Sequence, residues 1–89
     1  MPTIAFTRAL ARLLRAPYAE VRGATVGEAL TAALASRSTL LGQLLDEQGA
    51  LRRHFNIHVN DRPVGDRVGL TDAVGPRDEI NVFPARSGG

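Results

Sequence analysis

One segment constrains the fold of this chain more than any other: an amphipathic helix with strand-like segments on both sides. Thr25 and Glu28 have the spacing of a capping box, in which the Thr25 hydroxyl accepts from the Glu28 amide and the Glu28 carboxylate accepts from the Thr25 amide. An apolar stripe follows at helical spacing, formed by Val26, Ala29, Leu30, Ala33 and Leu34. A helix with one apolar face must bury it, so we expect it to pack on a sheet.

The segments around this helix alternate apolar and polar residues with the period of half-buried strands. Residues 3–7 and 18–22 predict a first hairpin, with Ile4 and Phe6 directed inward. Residues 8–15 place three leucines at helical spacing, which leaves open a short helix or a wide turn. Further along, residues 55–59 predict a third strand, residues 60–63 a turn, and Val64 the start of a short returning edge strand.

A shorter second apolar stripe lies between the main helix and the third strand. It consists of Leu40, Leu41, Leu44 and Leu45, and it predicts a second helix ended by Gly49 as its C-cap, with Leu51 under the same core. Residues 69–74 predict an irregular turn or a single helical turn, and residues 75–78 another turn. Residues 80–83 form the last predicted strand, which Pro84 ends. We therefore expect one domain over residues 1–84 and a flexible tail at residues 85–89.

Composition limits the function classes that remain open. Hydrophobic residues make up 44% and charged residues 22% of the 89, which is a globular composition. No segment approaches the roughly 20 apolar residues that a membrane helix needs, and no basic region precedes an apolar one at the N-terminus. We expect a cytoplasmic protein that does not bind membranes. The formal net charge of +2 also argues against nucleic acid as a partner.

Two missing residue types restrict the chemistry further. The absence of cysteine excludes disulfides, thiolate metal sites and a cysteine nucleophile. All 11 basic residues are arginine, so copies of this chain cannot be linked from tail to lysine side chain. His54 and His58 are four residues apart, but no further histidine or cysteine completes a zinc set, and we expect no metal. The carboxylates and the arginines at positions 8, 12 and 15 are expected to be solvated.

The most distinctive chemical feature is the Gly88-Gly89 pair. Two glycines give a thin thread that can enter an active site too narrow for side chains, although a frayed terminus is the simpler interpretation. Just before it, alternation with Ile80 and Val82 directs Phe83 outward. Phe83 is therefore either a partner anchor or a ring covered by a cross-strand neighbour.

Taken in order, these motifs resemble the MoaD/ThiS superfamily of ubiquitin-like sulfur-carrier proteins, which have the β-grasp fold. Residues 25–30 resemble the helix opening of the family, residues 57–61 its strand and turn, residues 77–84 its closing strand and residues 87–89 its terminus. Residues 55–61 and 69–70 are most similar to the carrier of a cysteine-biosynthesis route. Arg77 departs from the usual glycine, and Arg86 and Ser87 replace smaller apolar residues.

This resemblance implies an α+β fold, with a mixed sheet of four to five strands packed on one main helix and a shorter second helix. It implies that an E1-like enzyme adenylates the Gly89 carboxylate with ATP and magnesium, that the product becomes a thiocarboxylate, and that a synthase accepts the sulfur. The protein is then a co-substrate of its partner enzymes, not an enzyme, and binds no cofactor itself. The implied partner-binding residues are Phe83, Pro84, Arg86, Ser87 and Gly88.

Other functions stay open on the sequence alone. A ubiquitin-like modifier shares the adenylation step but is attacked by a target lysine, and the small subunit of molybdopterin synthase is a further carrier role. A β-grasp adaptor without tail chemistry is the third class, and it predicts that Gly88 and Gly89 are dispensable.

Overall fold

A computed structural model describes residues 1–7, 11–12 and 18–85 of the chain. Within these ranges the elements are β1 Thr3–Phe6, β2 Tyr18–Glu20, α1 Val26–Ala33, α2 Ser38–Leu44, β3 Phe55–Val59, β4 Arg62–Pro63 and β5 Glu79–Pro84. Most of the segment for which the sequence left open a short helix or a wide turn lies outside the described residues.

The five strands form one mixed sheet in the order β2-β1-β5-β3-β4. Its two central strands, β1 and β5, are parallel, with Ile4 opposite Ile80. The other pairs are antiparallel, including the predicted β1–β2 hairpin. The predicted α+β, β-grasp fold, with a mixed sheet of four to five strands, one main helix and a shorter second helix, is confirmed.

The core lies between the inner face of this sheet and α1. The largest fully buried side chains are Ile4, Val26, Leu30, Leu34, Leu44, Ile57, Leu70, Ile80 and Val82. Each such side chain contributes about 1.5 to 3 kcal/mol relative to exposure. The apolar stripe predicted from the sequence is therefore the face of α1 that packs on the sheet. The face of β5 that points away from α1 consequently lies on the outside of the sheet.

The start of α1 differs in one detail from the predicted capping box. Thr25 Oγ1 accepts from the Glu28 amide at 3.2 Å, as expected. The Glu28 carboxylate, however, accepts from the amide of Ala24 at 3.0 Å, not from that of Thr25. Thr25 is extended and forms an antiparallel bridge with Ala73. The Glu28 carboxylate consequently caps the backbone amide that lies one residue further from the helix than predicted.

The predicted C-cap role of Gly49 is wrong. Helix α2 ends at Leu44, and Leu45 leaves the helix in an extended conformation to pair with Leu51. Gly49 lies in the following turn, where its φ of +84° is left-handed and its amide donates to the Asp46 carbonyl at 3.0 Å. Glycine serves that turn because such a φ strains residues that carry a Cβ.

The predicted position of the short edge strand is also wrong, by two residues. Asn60 and Asp61 have φ values of 49° and 71° and form a two-residue turn between the paired residues Val59 and Arg62. Two left-handed residues are typical of the turn that matches the twist of a hairpin. Strand β4 therefore begins at Arg62, before Val64.

Residues 69–74 form an irregular connection, which was one of the two predicted alternatives. The carbonyls of Leu70 and Asp72 accept from the Gly27 and Val26 amides at 2.9 and 3.0 Å, which satisfies two amides in the first turn of α1. Asp66 organises this connection. Its carboxylate accepts from the Thr71 hydroxyl and the Gly69 amide, and these hydrogen bonds hold the pKa of Asp66 below its ordinary value.

Candidate functional site

Phe83 lies on the outer face of the sheet, because its neighbours Ile80 and Val82 are buried on the inner face. Its ring meets that of His58 edge-on, with centroids 4.8 Å apart and planes at 82°. Phe83 pairs directly with Asn56, so the contact with His58 is diagonal across the two strands. The two interpretations of Phe83 therefore coexist: the ring points outward, and a cross-strand neighbour partly covers it. Its role as an anchor stays a prediction.

Arg67 forms hydrogen bonds with β3, the strand that lies beside Phe83. Its guanidinium donates to Asn56 Oδ1 at 3.0 Å, to the Phe55 carbonyl at 2.7 Å and to the Arg52 carbonyl at 3.2 Å. Beside it is a surface recess of about 300 Å³, lined in part by Asn56, His58, Pro63 and Arg67. Arg67 was not predicted from the sequence, because its partners lie 11 to 15 residues earlier and no local pattern marks them.

The chain leaves the sheet at a defined point, which we call the tail root: Pro84, Ala85 and His54. Pro84 is exposed and pairs with Phe55 at the end of β5. The Ala85 amide then donates to the His54 carbonyl at 2.8 Å. The predicted site residues Arg86, Ser87, Gly88 and Gly89 lie outside the described residues, and their roles stay predictions.

The described residues contain no group of three or more histidine, cysteine, aspartate or glutamate side chains placed to hold a metal ion. His58 instead contacts Phe83, and His54 contributes its carbonyl to the tail root. Within the same ranges, no helix has the length and apolar character needed to span a membrane.

A β-grasp domain whose last strand is followed four residues later in the sequence by a Gly-Gly pair is typical of one class of protein, the small ubiquitin-like carriers and modifiers. The sequence profile of the ThiS family matches residues 12–89, which is most of the chain and includes the diglycine. The chain belongs to the ThiS family, and the superfamily predicted from its motifs is confirmed.

Individual relatives agree with this assignment. Small archaeal modifier protein 3 of Haloferax volcanii is 36% identical over 66 residues, which cover 74% of this chain and 71% of the relative. CysO of Mycobacterium tuberculosis has a similar structure, with a TM-score of 0.83 and 27% identity over 97% of this chain and 100% of that one. The BexX/CysO complex of Amycolatopsis orientalis contains a chain with the same TM-score and identity over the full length of both chains. The predicted general kind of protein, a small ubiquitin-like carrier or modifier, is thus confirmed.

Proposed function

We propose that this protein is a sulfur carrier whose Gly89 carboxylate is adenylated by an E1-like enzyme and then converted to a thiocarboxylate. The observation that carries the proposal is that the ThiS family match extends through the diglycine at residues 88–89. The end of β5 adds support, since the Ala85 amide is held by the His54 carbonyl four residues before Gly89. Four residues span at most about 14 Å when extended, which bounds the distance between the tail root and Gly89.

The proposed chemistry explains why a partner enzyme and ATP are needed. A carboxylate is a poor electrophile, so one of its oxygens first attacks the α-phosphorus of ATP and pyrophosphate leaves. Hydrosulfide (HS⁻) then attacks the acyl carbon, the C–O bond to AMP breaks as the C–S bond forms, AMP leaves, and loss of the S–H proton gives the thiocarboxylate. The carrier contributes a positioned reacting group. The partner binds ATP and magnesium and supplies the donors that stabilise the developing oxyanion.

The outer face around Phe83 and His58 is the surface we propose for docking, with Pro84, Arg86, Ser87 and Gly88 entering the partner. Aromatic side chains are enriched at the centre of protein interfaces, and Phe83 contacts His58, which lines the recess. The CysO of Amycolatopsis orientalis was crystallised in complex with BexX, which supports a function through protein partners. In this role the protein is a co-substrate.

We further propose that the sulfur passes to a synthase of a cysteine-biosynthesis route, because residues 55–61 and 69–70 resemble the carrier of that route. A role as the small subunit of molybdopterin synthase is the other carrier function to be tested. Reconstitution with each synthase distinguishes the two, since only the true acceptor consumes the thiocarboxylate.

A second candidate function is conjugation to other proteins, because the relatives with 36% and 35% identity are named modifier proteins. The adenylation step is the same, but a lysine amine attacks the activated carbonyl instead of sulfur. In that role, copies of a chain without lysine could not be linked to one another through lysine side chains. Lysine-linked conjugates in a lysate of the native host would identify this function.

Deleting Gly89, or adding one residue after it, tests the proposal. We expect either change to abolish pyrophosphate release with a cognate activating enzyme and ATP, while the thermal unfolding temperature stays almost unchanged, because stability should not depend on the last residue of a chain. A variant with one residue added before Met1 is the matched control and should release pyrophosphate normally. Normal release from the Gly89 deletion would contradict the carrier function.

A further inference from the structure

Arginines gather at the end of the sheet from which the tail departs. The cationic patch, as we call it, consists of Arg12, Arg52 and Arg53, all of them exposed. Arg53 directly precedes His54, whose carbonyl accepts from Ala85 at the tail root. Arg12 follows Ala11, whose amide donates to Thr7, and the Thr7 amide donates to Val82 near the end of β5. Two separate connections thus bring positive charge to one end of the sheet.

These arginines are available to a partner. Among the described residues, the guanidinium groups of Arg12 and Arg53 have no hydrogen-bond or ion-pair partner. Arg52 donates through Nε to the Gly42 carbonyl at 3.0 Å, which orients its side chain. Asp46 and Glu47 line a surface cleft with Arg52. They make no ion pair within 4.0 Å with the patch in the described ranges, and Asp46 Oδ1 accepts from two backbone amides.

Charges of both signs also lie at the opposite end of the sheet, as they do around Arg52. Glu20 and Glu79 flank Thr3 there, and Arg22 and Arg77 are exposed nearby. Five residue steps along β5 separate the two ends by about 17 Å. This exceeds the Debye length of about 8 to 10 Å at moderate salt, so charges at the far end contribute little to the field at the tail root.

We propose that the cationic patch docks on an acidic surface surrounding the channel through which the activating enzyme receives the tail. The inference rests on the proposed function and adds the chemistry of the partner surface. Charge complementarity of this kind increases the rate of association and orients the approaching protein. Here it would bring Arg53 against the rim of the channel, because Arg53 directly precedes His54 of the tail root.

Charge reversal tests this surface. Arg12→Glu and Arg53→Glu, singly and combined, are mixed by stopped flow with the purified E1-like activating enzyme of the same organism. We expect the association rate constant to fall roughly tenfold or more at about 50 mM salt, and the difference to shrink to less than about twofold at about 500 mM. Arg22→Glu and Arg77→Glu are the matched controls at the far end and should change the rate less than about twofold at either salt concentration. Melting curves confirm that every variant is folded.

Equal rates for the patch variants and the controls would overturn the inference. If the wild-type protein still supports pyrophosphate release in that case, the proposed function survives; if the wild type releases none, the proposed function itself fails. A labelled DNA duplex of about 20 base pairs is the competing probe. Duplex binding that the patch variants abolish, with unchanged association to the enzyme, would also overturn the inference in favour of a nucleic-acid surface.

Discussion

Phe83 and Val82 are adjacent residues with opposite environments. Substitutions at these two positions therefore distinguish an effect on binding from an effect on stability. Phe83 is half-buried on the outer face against His58, whereas Val82 is 1% exposed in the core. We expect Phe83→Ala to weaken binding to the activating enzyme by about 1 to 2 kcal/mol and to change the unfolding temperature little. Val82→Ala should lower the unfolding temperature and change the affinity for the activating enzyme little. Titration calorimetry and melting curves measure both, and a large loss of stability with unchanged affinity for Phe83→Ala would identify Phe83 as a core residue.

Side-chain direction on β5 could be read from the sequence because alternation is a local property. Ile80 and Val82 were expected inside and Phe83 outside, and each lies where it was expected. The contact between Phe83 and His58 could not be predicted, since it depends on the register of β3 against β5. Arg67 was missed for the same reason, because its partners meet it only after the chain has folded back on itself.

Two glycines in different elements are expected to respond to alanine in opposite ways. A Cβ at Gly23 would lie 2.6 Å from the Ala29 amide nitrogen and 2.9 Å from the Ala29 Cα, both of them backbone atoms of α1. Gly23→Ala should therefore destabilise the protein by about 1 to 3 kcal/mol. A Cβ at Gly42, within α2, has nothing within 4 Å, and alanine there should add about 0.5 to 1 kcal/mol.

Urea unfolding of both glycine variants at one temperature measures these differences. A Gly23→Ala protein as stable as the wild type would show that the connection between β2 and α1 does not cross α1 as closely as described.

Element positions followed from the sequence where one strong local signal defined them. The stripe and cap of α1 and the alternation of β3 and β5 are such signals, and these three elements lie where they were expected. Predictions at the ends of elements were weaker. Leu45 leaves α2 early because it pairs with Leu51, and β4 begins early because Asn60 and Asp61 both adopt left-handed angles. Neither the early end of α2 nor the early start of β4 is marked in the sequence by a single residue type at a single position.

At the scale of the whole molecule, the described core lies on one side of the sheet and the tail root lies at the end of the central strand β5. The parallel pairing of β1 and β5 places the ends of both strands at the same end of the sheet, where Ala85 is held by His54. The ThiS family match extends beyond this point to Gly89. The proposed chemistry therefore takes place beyond the packed core, on residues that the core presents to a partner.

The chemical state of Gly89 in the native host is the most direct test of sulfur transfer. Protein isolated in the presence of a competent activating enzyme and a sulfur donor should include a fraction heavier by the difference between sulfur and oxygen. Oxidation of Met1 adds nearly the same mass, but Met1 and Gly89 fall in different peptides. We predict that mass spectrometry places the added mass on the C-terminal peptide. A wholly unmodified Gly89 carboxylate under these conditions would contradict sulfur transfer.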